Sequence, residues 1–483
     1  MKKLLILVSA LAAMCFAAPV AGAATITVNT TDDLYGGSGS ACSLREAITA
    51  AQTNAAYDGC TAGSGPDVIS LPDGTYKITR AGGGENANLT GDFDVTGTNA
   101  LTIEPAGAAA KVVIDGNDLD RVIDQQGANQ LSLRNVTVKG GKITMIEDGA
   151  GLRNSNGELT IDGSTISGNS NDLQQGGGVA VYSQTNVMNS TISGNRTAGN
   201  GGGFYIPGGG ILTVRSSTIT KNVADSDNDG NGHGGGFADG GSTSINMTNT
   251  INAANEDRSV APNNLPDCSS GPFYFPDYVL TTQALGAGGC LVGFNPGTNK
   301  VVTDPLLGPL QDNGGQTPTH ALLGGSPAIA AGAPTGPDQC PAKDQAGRDR
   351  PADACDIGAV QFVTPVNPAL SPNLKIGPVK PKVLKVKRGK KAKAVKVTVA
   401  NVGEAIAPSA KLCLTKTPAV VKQLKVKGKA CRSLGTLALQ GKKTVSFKFA
   451  AKKKAKRKTV KVKVTASATG AAKKTSTIKV KVK

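Results

Sequence analysis

Ser164-Thr-Ile-Ser-Gly-Asn169 recurs as Ser190-Thr-Ile-Ser-Gly-Asn195 and again as Ser217-Thr-Ile-Thr-Lys-Asn222, at spacings of 26 and 27 residues. Each copy is followed by a glycine triplet and an apolar residue: Gly176-Gly-Gly-Val179, Gly201-Gly-Gly-Phe204 and Gly234-Gly-Gly-Phe237. A unit this short, holding at least two strands and their turns, cannot bury an apolar face alone and must stack on its neighbours. Alternation along the strands puts Ile166, Ile192 and Ile219 on one inward line and Val179, Phe204 and Phe237 on another. Asn169, Asn195 and Asn222 recur where the chain turns, a place for an amide that bonds to its equivalent in the next coil.

Charge divides the chain in two. From Ser371 to Lys483 there are 33 Lys and Arg and one acid, Glu404, a net of +32; the rest carries 19 basic and 34 acidic residues, a net of −15. Prolines at 365, 368, 372, 378 and 381 mark the junction, and the domain reading takes 363–372 as an extended linker. Beyond it, Val395-Lys-Val-Thr-Val399, Val460-Lys-Val-Lys-Val464 and Ile478-Lys-Val-Lys-Val482 alternate apolar and lysine faces. An immunoglobulin-like β-sandwich is expected over 373–483. Its lysines would attract anionic cell-wall polymers or polysaccharides, with specific nucleic-acid binding disfavoured by lysine over arginine and by sparse aromatics; a charged surface that blunts sheet edges is the plainer reading.

Met1-Lys-Lys, the apolar run Leu4 to Pro19 and Ala21-Gly-Ala23 read as a secretory signal over 1–23. The remaining eight cysteines fall as Cys42/Cys60, Cys268/Cys290, Cys340/Cys355 and Cys413/Cys431, four local disulfides in a secreted or cell-surface chain. No later stretch is apolar enough for a transmembrane helix, and a monomer is expected.

Upstream of the repeats, Val112-Val-Ile-Asp-Gly-Asn117 and Leu131-Ser-Leu-Arg-Asn-Val-Thr-Val138 continue the pattern less regularly. Here the chain resembles the right-handed parallel β-helix proteins, the group with the pectin-lyase-like fold, over 24–362. That makes the fold class all-β: a β-helix followed by the basic sandwich. Cys42-Ser-Leu-Arg-Glu-Ala-Ile48 reads as a capped helix start and is similar to the CSLREA motif of exported bacterial β-helix proteins, implying an amino-terminal cap over 24–62. Asp312-Asn-Gly-Gly-Gln-Thr-Pro-Thr-His-Ala-Leu322, Asp344-Gln-Ala-Gly-Arg-Asp-Arg-Pro351 and Cys355-Asp-Ile-Gly-Ala359 look like the choice-of-anchor Q segment, 303–362, expected at the far end of the stack. His320 within it is read as a structural hydrogen-bonding residue.

Chemistry concentrates in the insertion Asp225-Ser-Asp-Asn-Asp-Gly-Asn-Gly-His-Gly234. Carboxylates at alternate positions before a glycine can wrap a hard cation, so Asp225, Asp227 and Asp229 are candidate Ca2+ ligands, although Gly236 stands where calcium loops place a bidentate glutamate. The bland reading is a solvated acidic turn. Gly232-His233-Gly234 resembles a polygalacturonase motif, making Asp227, Asp229 and His233 candidate catalytic groups of a polysaccharide lyase or glycoside hydrolase acting on acidic glycans. The carboxylates sit in one loop, so the leading expectation is a non-catalytic, adhesin-like or envelope-associated scaffold. Asp115, Asp118, Asp120 and Asp124 could form another acidic patch, but Asp115-Gly-Asn-Asp118 is more simply a turn between strands.

Overall fold

The computed structural model describes residues 22–483 except 38, 242, 261–263, 270–273, 284–294, 335–339, 352–354, 364–371, 404–406, 439–440 and 470. Residues 1–21 of the signal read over 1–23, and the Cys290 half of one disulfide, therefore lie outside the described residues. Three disulfides form as expected: Cys42–Cys60, Cys340–Cys355 and Cys413–Cys431. No described helix is long and apolar enough to cross a membrane.

The chain divides into two compact units at Val363/Thr364. The first is a parallel β-solenoid. One coil runs Glu158–Asp162, Thr165–Ser167, Ser170–Asn171, Val179–Val181, and each strand pairs in parallel with its counterpart one coil away. Stacking produces parallel sheets of nine, nine, seven and five strands.

Every position of the repeated phrase has a separate task. Ile166, Ile192 and Ile219 are register partners and fully buried, each contributing about 1.5–3 kcal/mol by burial. The serines form a hydroxyl-to-backbone ladder: Ser164 N–H donates to Ser190 Oγ, and Ser190 N–H to Ser217 Oγ, both at 3.1 Å. The asparagines form a second: Asn169 Nδ2 donates to Asn195 Oδ1 and Asn195 Nδ2 to Asn222 Oδ1, each at 2.9 Å, and Asn222 Nδ2 to Asn255 Oδ1 at 3.0 Å. These amides are buried, where an unpaired polar group would be costly, so each ladder fixes coil register as well as satisfying itself.

The threonines face outward and hold a strap. Thr165 Oγ1 donates to the Pro318 carbonyl at 2.7 Å, Thr191 Oγ1 to Gln345 Oε1 at 2.6 Å, and Thr218 Oγ1 accepts from Ala359 N–H at 3.0 Å. This corrects the expected placement of 303–362: rather than only closing the far end, the segment runs back along the flank. Gln316 Nε2 reaches the Gly107 carbonyl at 3.0 Å, and Asp312 pairs with Lys111. An antiparallel hairpin, Leu307–Gln311 with Thr319–Leu322, forms its centre.

The amino end carries the expected helix, α1, Leu44–Thr53. Ser43 Oγ accepts from Glu46 N–H at 3.2 Å while Glu46 Oε2 accepts from Ser43 N–H at 3.0 Å, a reciprocal capping box. Arg45 is fully buried: its Nε lies 2.6 Å from Asp33 Oδ1, its Nη2 donates to the Gly91 carbonyl at 2.7 Å, and its guanidinium stands 4.7 Å over the Phe93 ring. Asp33 in turn accepts from Thr79 and Arg80 N–H, so the pair ties the helix to the first coils.

The second unit contains a four-stranded antiparallel sheet, including Lys393–Asn401 and Lys442–Ala451, and a five-stranded sheet, including Thr459–Ser467 and Lys474–Val482. Val460, Val462, Val464, Ile478, Val480 and Val482 are buried while the intervening lysines point outward, as their alternation requires.

Candidate functional site

The Asp225 insertion brings its three acids together. Carboxylate oxygens of Asp225, Asp227 and Asp229 lie within 4.8 Å of one another, Asp225 buried and the other two exposed. Asp225 Oδ1 accepts from the N–H of Asp229 at 3.0 Å and of Gly230 at 3.2 Å, so this carboxylate braces its own loop. Burial raises the Asp225 pKa, whereas the Asn231 side chain and N–H lower that of Asp229. His233 turns elsewhere. Its Nδ1 lies 3.2 Å from Asp257 Oδ2 and 3.2 Å from Ser259 Oγ, both on the following coil. The three aspartates therefore lie together in the loop, while the histidine expected to join them pairs with a different carboxylate.

A second acidic cluster escaped sequence reading. Asp92, Asp94 and Asp124 have oxygens within 4.8 Å of one another, and Asp94 and Asp124 are register partners on adjacent coils. The turn read at Asp115-Gly-Asn-Asp118 follows the strand Val112–Asp115, whereas Asp124 lies in the next strand, Ile123–Gln125, and Asp120 is buried and accepts Arg121 N–H at 2.7 Å. Parallel apolar-Asp pairs, Phe93-Asp94 and Ile123-Asp124, were the available signal. Arg121 Nη1 meets Asp92 at 2.8 Å and Asp124 at 3.3 Å, while Arg153 Nε meets Asp124 at 3.0 Å. Burial pushes Asp92 up to about 7, the Arg121 charge opposing it, and pushes Asp94 up to about 8, with the Asp92 charge adding to the effect. These carboxylates sit on successive coils, as glycosidic chemistry would want, but at 0–2 % exposure they are closed to a sugar chain. Arg121 and Arg153 already pair with Asp92 and Asp124, so these two carboxylates are met by charge within the protein.

Positive charge concentrates on the second unit. A cavity of about 720 Å3 is lined by Lys387, Arg388 and Lys390 together with Arg457, Lys458, Lys481 and Lys483, and by no acidic residue. Around it, Lys461 stands directly opposite Lys479, and Lys385 opposite Lys481, in paired strands. Like charges facing across a ladder repel and favour a bound anion that spans them. The sole acidic residue after Ser371, Glu404, lies outside the described residues.

No protein-family model matches the chain, and no curated protein matches it. Among solved structures, the CARDB domain of a Pyrococcus furiosus protein, crystallised in complex with di-metal ions, is similar at 17 % identity and a TM-score of 0.17, the match covering 26 % of this chain and 100 % of that domain.

Proposed function

We propose that this is an exported, non-catalytic protein of the right-handed, pectin-lyase-like β-helix type, acting as an adhesin-like, envelope-associated scaffold whose basic domain binds anionic surface polymers. On this reading 1–23 is a secretory signal, Cys42 to Ile48 belongs to the CSLREA motif, 303–362 is a choice-of-anchor Q segment, and the basic unit is an immunoglobulin-like sandwich. The observation that carries the binding claim is the cavity lined by Lys387, Arg388, Lys390, Arg457, Lys458, Lys481 and Lys483. Lysines on neighbouring strands supply a continuous positive surface instead of a single anion site, which suits a polymer.

The test compares the full chain with a variant carrying Arg457→Glu, Lys458→Glu and Lys481→Glu on immobilised heparin and on purified cell envelopes. The variant should elute at markedly lower salt from both. Unchanged elution of the variant would remove the basic cavity from the reading. The competing polysaccharide lyase or hydrolase reading draws support from the assembled Asp225, Asp227 and Asp229; cleavage of an acidic glycan that is lost on Asp227→Asn would favour it.

A further inference from the structure

A buried acid stands where the leader reading places the first residue of the mature chain. Thr25–Thr27 pairs in parallel with Asp67–Leu71, Thr25 opposite Val68, so Ala24 is laid beside Asp67. Val68 N–H donates to the Ala24 carbonyl at 2.8 Å, and Ala24 N–H donates to Asp67 Oδ1 at 3.2 Å. Asp67 is only 2 % exposed. Its Oδ1 also accepts from Ser64 N–H at 2.9 Å, whereas Oδ2 is buried without a hydrogen-bond partner. Gly63 closes over that oxygen, since a Cβ there would stand 2.4 Å from it.

A buried carboxylate with backbone donors on one oxygen and no cation is incompletely compensated. Asp33, buried in the same cap, has Arg45 at 2.6 Å; no side chain among the described residues forms an ion pair with Asp67. The chain can supply the missing charge without a basic side chain. Hydrolysis of the Ala23–Ala24 bond, the cut implied by Ala21-Gly22-Ala23, adds the hydroxyl of water to the Ala23 carbonyl carbon and its other hydrogen to the Ala24 nitrogen. The proton that the new Ala23 carboxyl sheds then makes that nitrogen an ammonium near neutral pH. The donor beside Asp67 changes from a neutral amide to a cation with three N–H groups, and a charge-assisted bond of this kind is roughly twice as strong. Gly22 and Ala23 are exposed, so the bond can be reached. The cut gives up one exposed hydrogen bond, from Ser64 Oγ–H to the Gly22 carbonyl at 2.6 Å.

We propose, on the export reading above, that the α-ammonium of Ala24 created by leader removal is the ionic partner of Asp67. Processing then locks the strand Thr25–Thr27 onto Asp67–Leu71, and the precursor holds its first coil more loosely than the mature chain does.

Two chains test it, one running from Ala24 to Lys483 and one that retains Gly22-Ala23 and so displaces the amine by two residues. Val28 and Val68 donate their N–H groups across the two strands. Their amide exchange should be about tenfold slower in the chain starting at Ala24, the worth of one charged hydrogen bond. Asp67→Asn in both chains should abolish the difference. A second measurement needs no substitution: the Ala24 amine, tagged by isotope-labelled reductive methylation, should titrate at higher pH in the folded chain than in urea. Equal exchange in the two chains, a difference that survives Asp67→Asn, or equal titration in the two states would each overturn the pairing and leave export standing. Amino-terminal sequencing of the chain expressed with its own leader should read Ala-Thr-Ile-Thr. A different first residue would overturn the pairing alone, and a retained leader would overturn both the pairing and the export reading.

Discussion

Ser193 Oγ and His320 Nε2 are 2.7 Å apart although 127 residues separate them, and this contact joins the repeat to the strap. Both groups are buried. The histidine is held from the other side by the Gly308 carbonyl, also at 2.7 Å. A serine beside a histidine suggests a nucleophile and base. Here, however, the adjacent Gly194 N–H is spent on the Thr220 carbonyl at 3.3 Å, and the Gly168 N–H on the Ser193 carbonyl at 3.3 Å. With those amides committed to the coil ladder instead of an oxyanion, the pair serves as a fastener.

That fastener depends on pH. Burial, together with the Lys221 charge, lowers the His320 pKa below its ordinary value, while the Gly308 carbonyl opposes the shift. The unfolded chain therefore binds the proton more readily, and the stabilisation is present above the unfolded pKa of about 6.5 and lost as pH falls below it. Amide hydrogen exchange in 307–322 should accelerate between pH 7.5 and pH 5 relative to the intrinsic rate. His320→Gln should flatten this dependence; an unchanged profile in that variant would assign it to another group.

The asparagine ladder should be the costliest polar feature to interrupt. Asn195 donates to Asn222 Oδ1 and to the Ile166 carbonyl, and accepts from the Asn169 side chain and N–H. Asn195→Ala strands these buried partners at once, so a loss of about 3–5 kcal/mol is expected in urea denaturation. A loss below 1 kcal/mol would mean water replaces the amide.

Asp94 reverses the pH logic of His320. Its folded pKa, raised to about 8 mainly by burial, lies above the unfolded value, so its stabilisation is complete below about pH 4 and is lost as pH rises through 8. Asn88 N–H and Gln126 Nε2 are its partners, at 2.8 and 3.0 Å. Asp94→Asn retains an acceptor without the charge. Thermal melts should show the variant gaining on the parent as pH rises from 5 to 9, and parallel curves would contradict the assignment.

The stacked fold was legible because its determinants are local and periodic: isoleucine, asparagine and glycine recur at one coil spacing. Ser43 and Glu46 likewise announced the helix through a three-residue separation. The strap was not legible. Thr165, Thr191 and Thr218 look like β-propensity choices until Pro318, Gln345 and Ala359, more than 140 residues away, are laid against them. The Asp94–Asp124 contact was hidden in the same way, since a coil of irregular length obscures which residues share a row. In the Asp225 loop, sequence proximity correctly gathered the three acids but could not reveal that His233 pairs with Asp257 on the next coil.

Arg45 gives the sharpest separation between charge and geometry. Its guanidinium forks onto Asp33, with Nε at 2.6 Å and Nη2 at 3.3 Å, and still reaches the Gly91 and Asp92 carbonyls at 2.7 and 2.9 Å. Lysine preserves the charge but has one nitrogen and no planar fork, so Arg45→Lys leaves buried carbonyls and part of the Asp33 carboxylate unpaired. A destabilisation of about 3 kcal/mol is expected. The control is Arg258→Lys, where the exposed arginine meets exposed Glu256 at 2.9 Å and the change should stay within about 0.5 kcal/mol. Chemical denaturation of both variants decides the matter. Equal losses would show that Arg45 acts only as a positive charge, whereas a large loss confined to Arg45 identifies the fork as what joins the amino-terminal helix to the first coils.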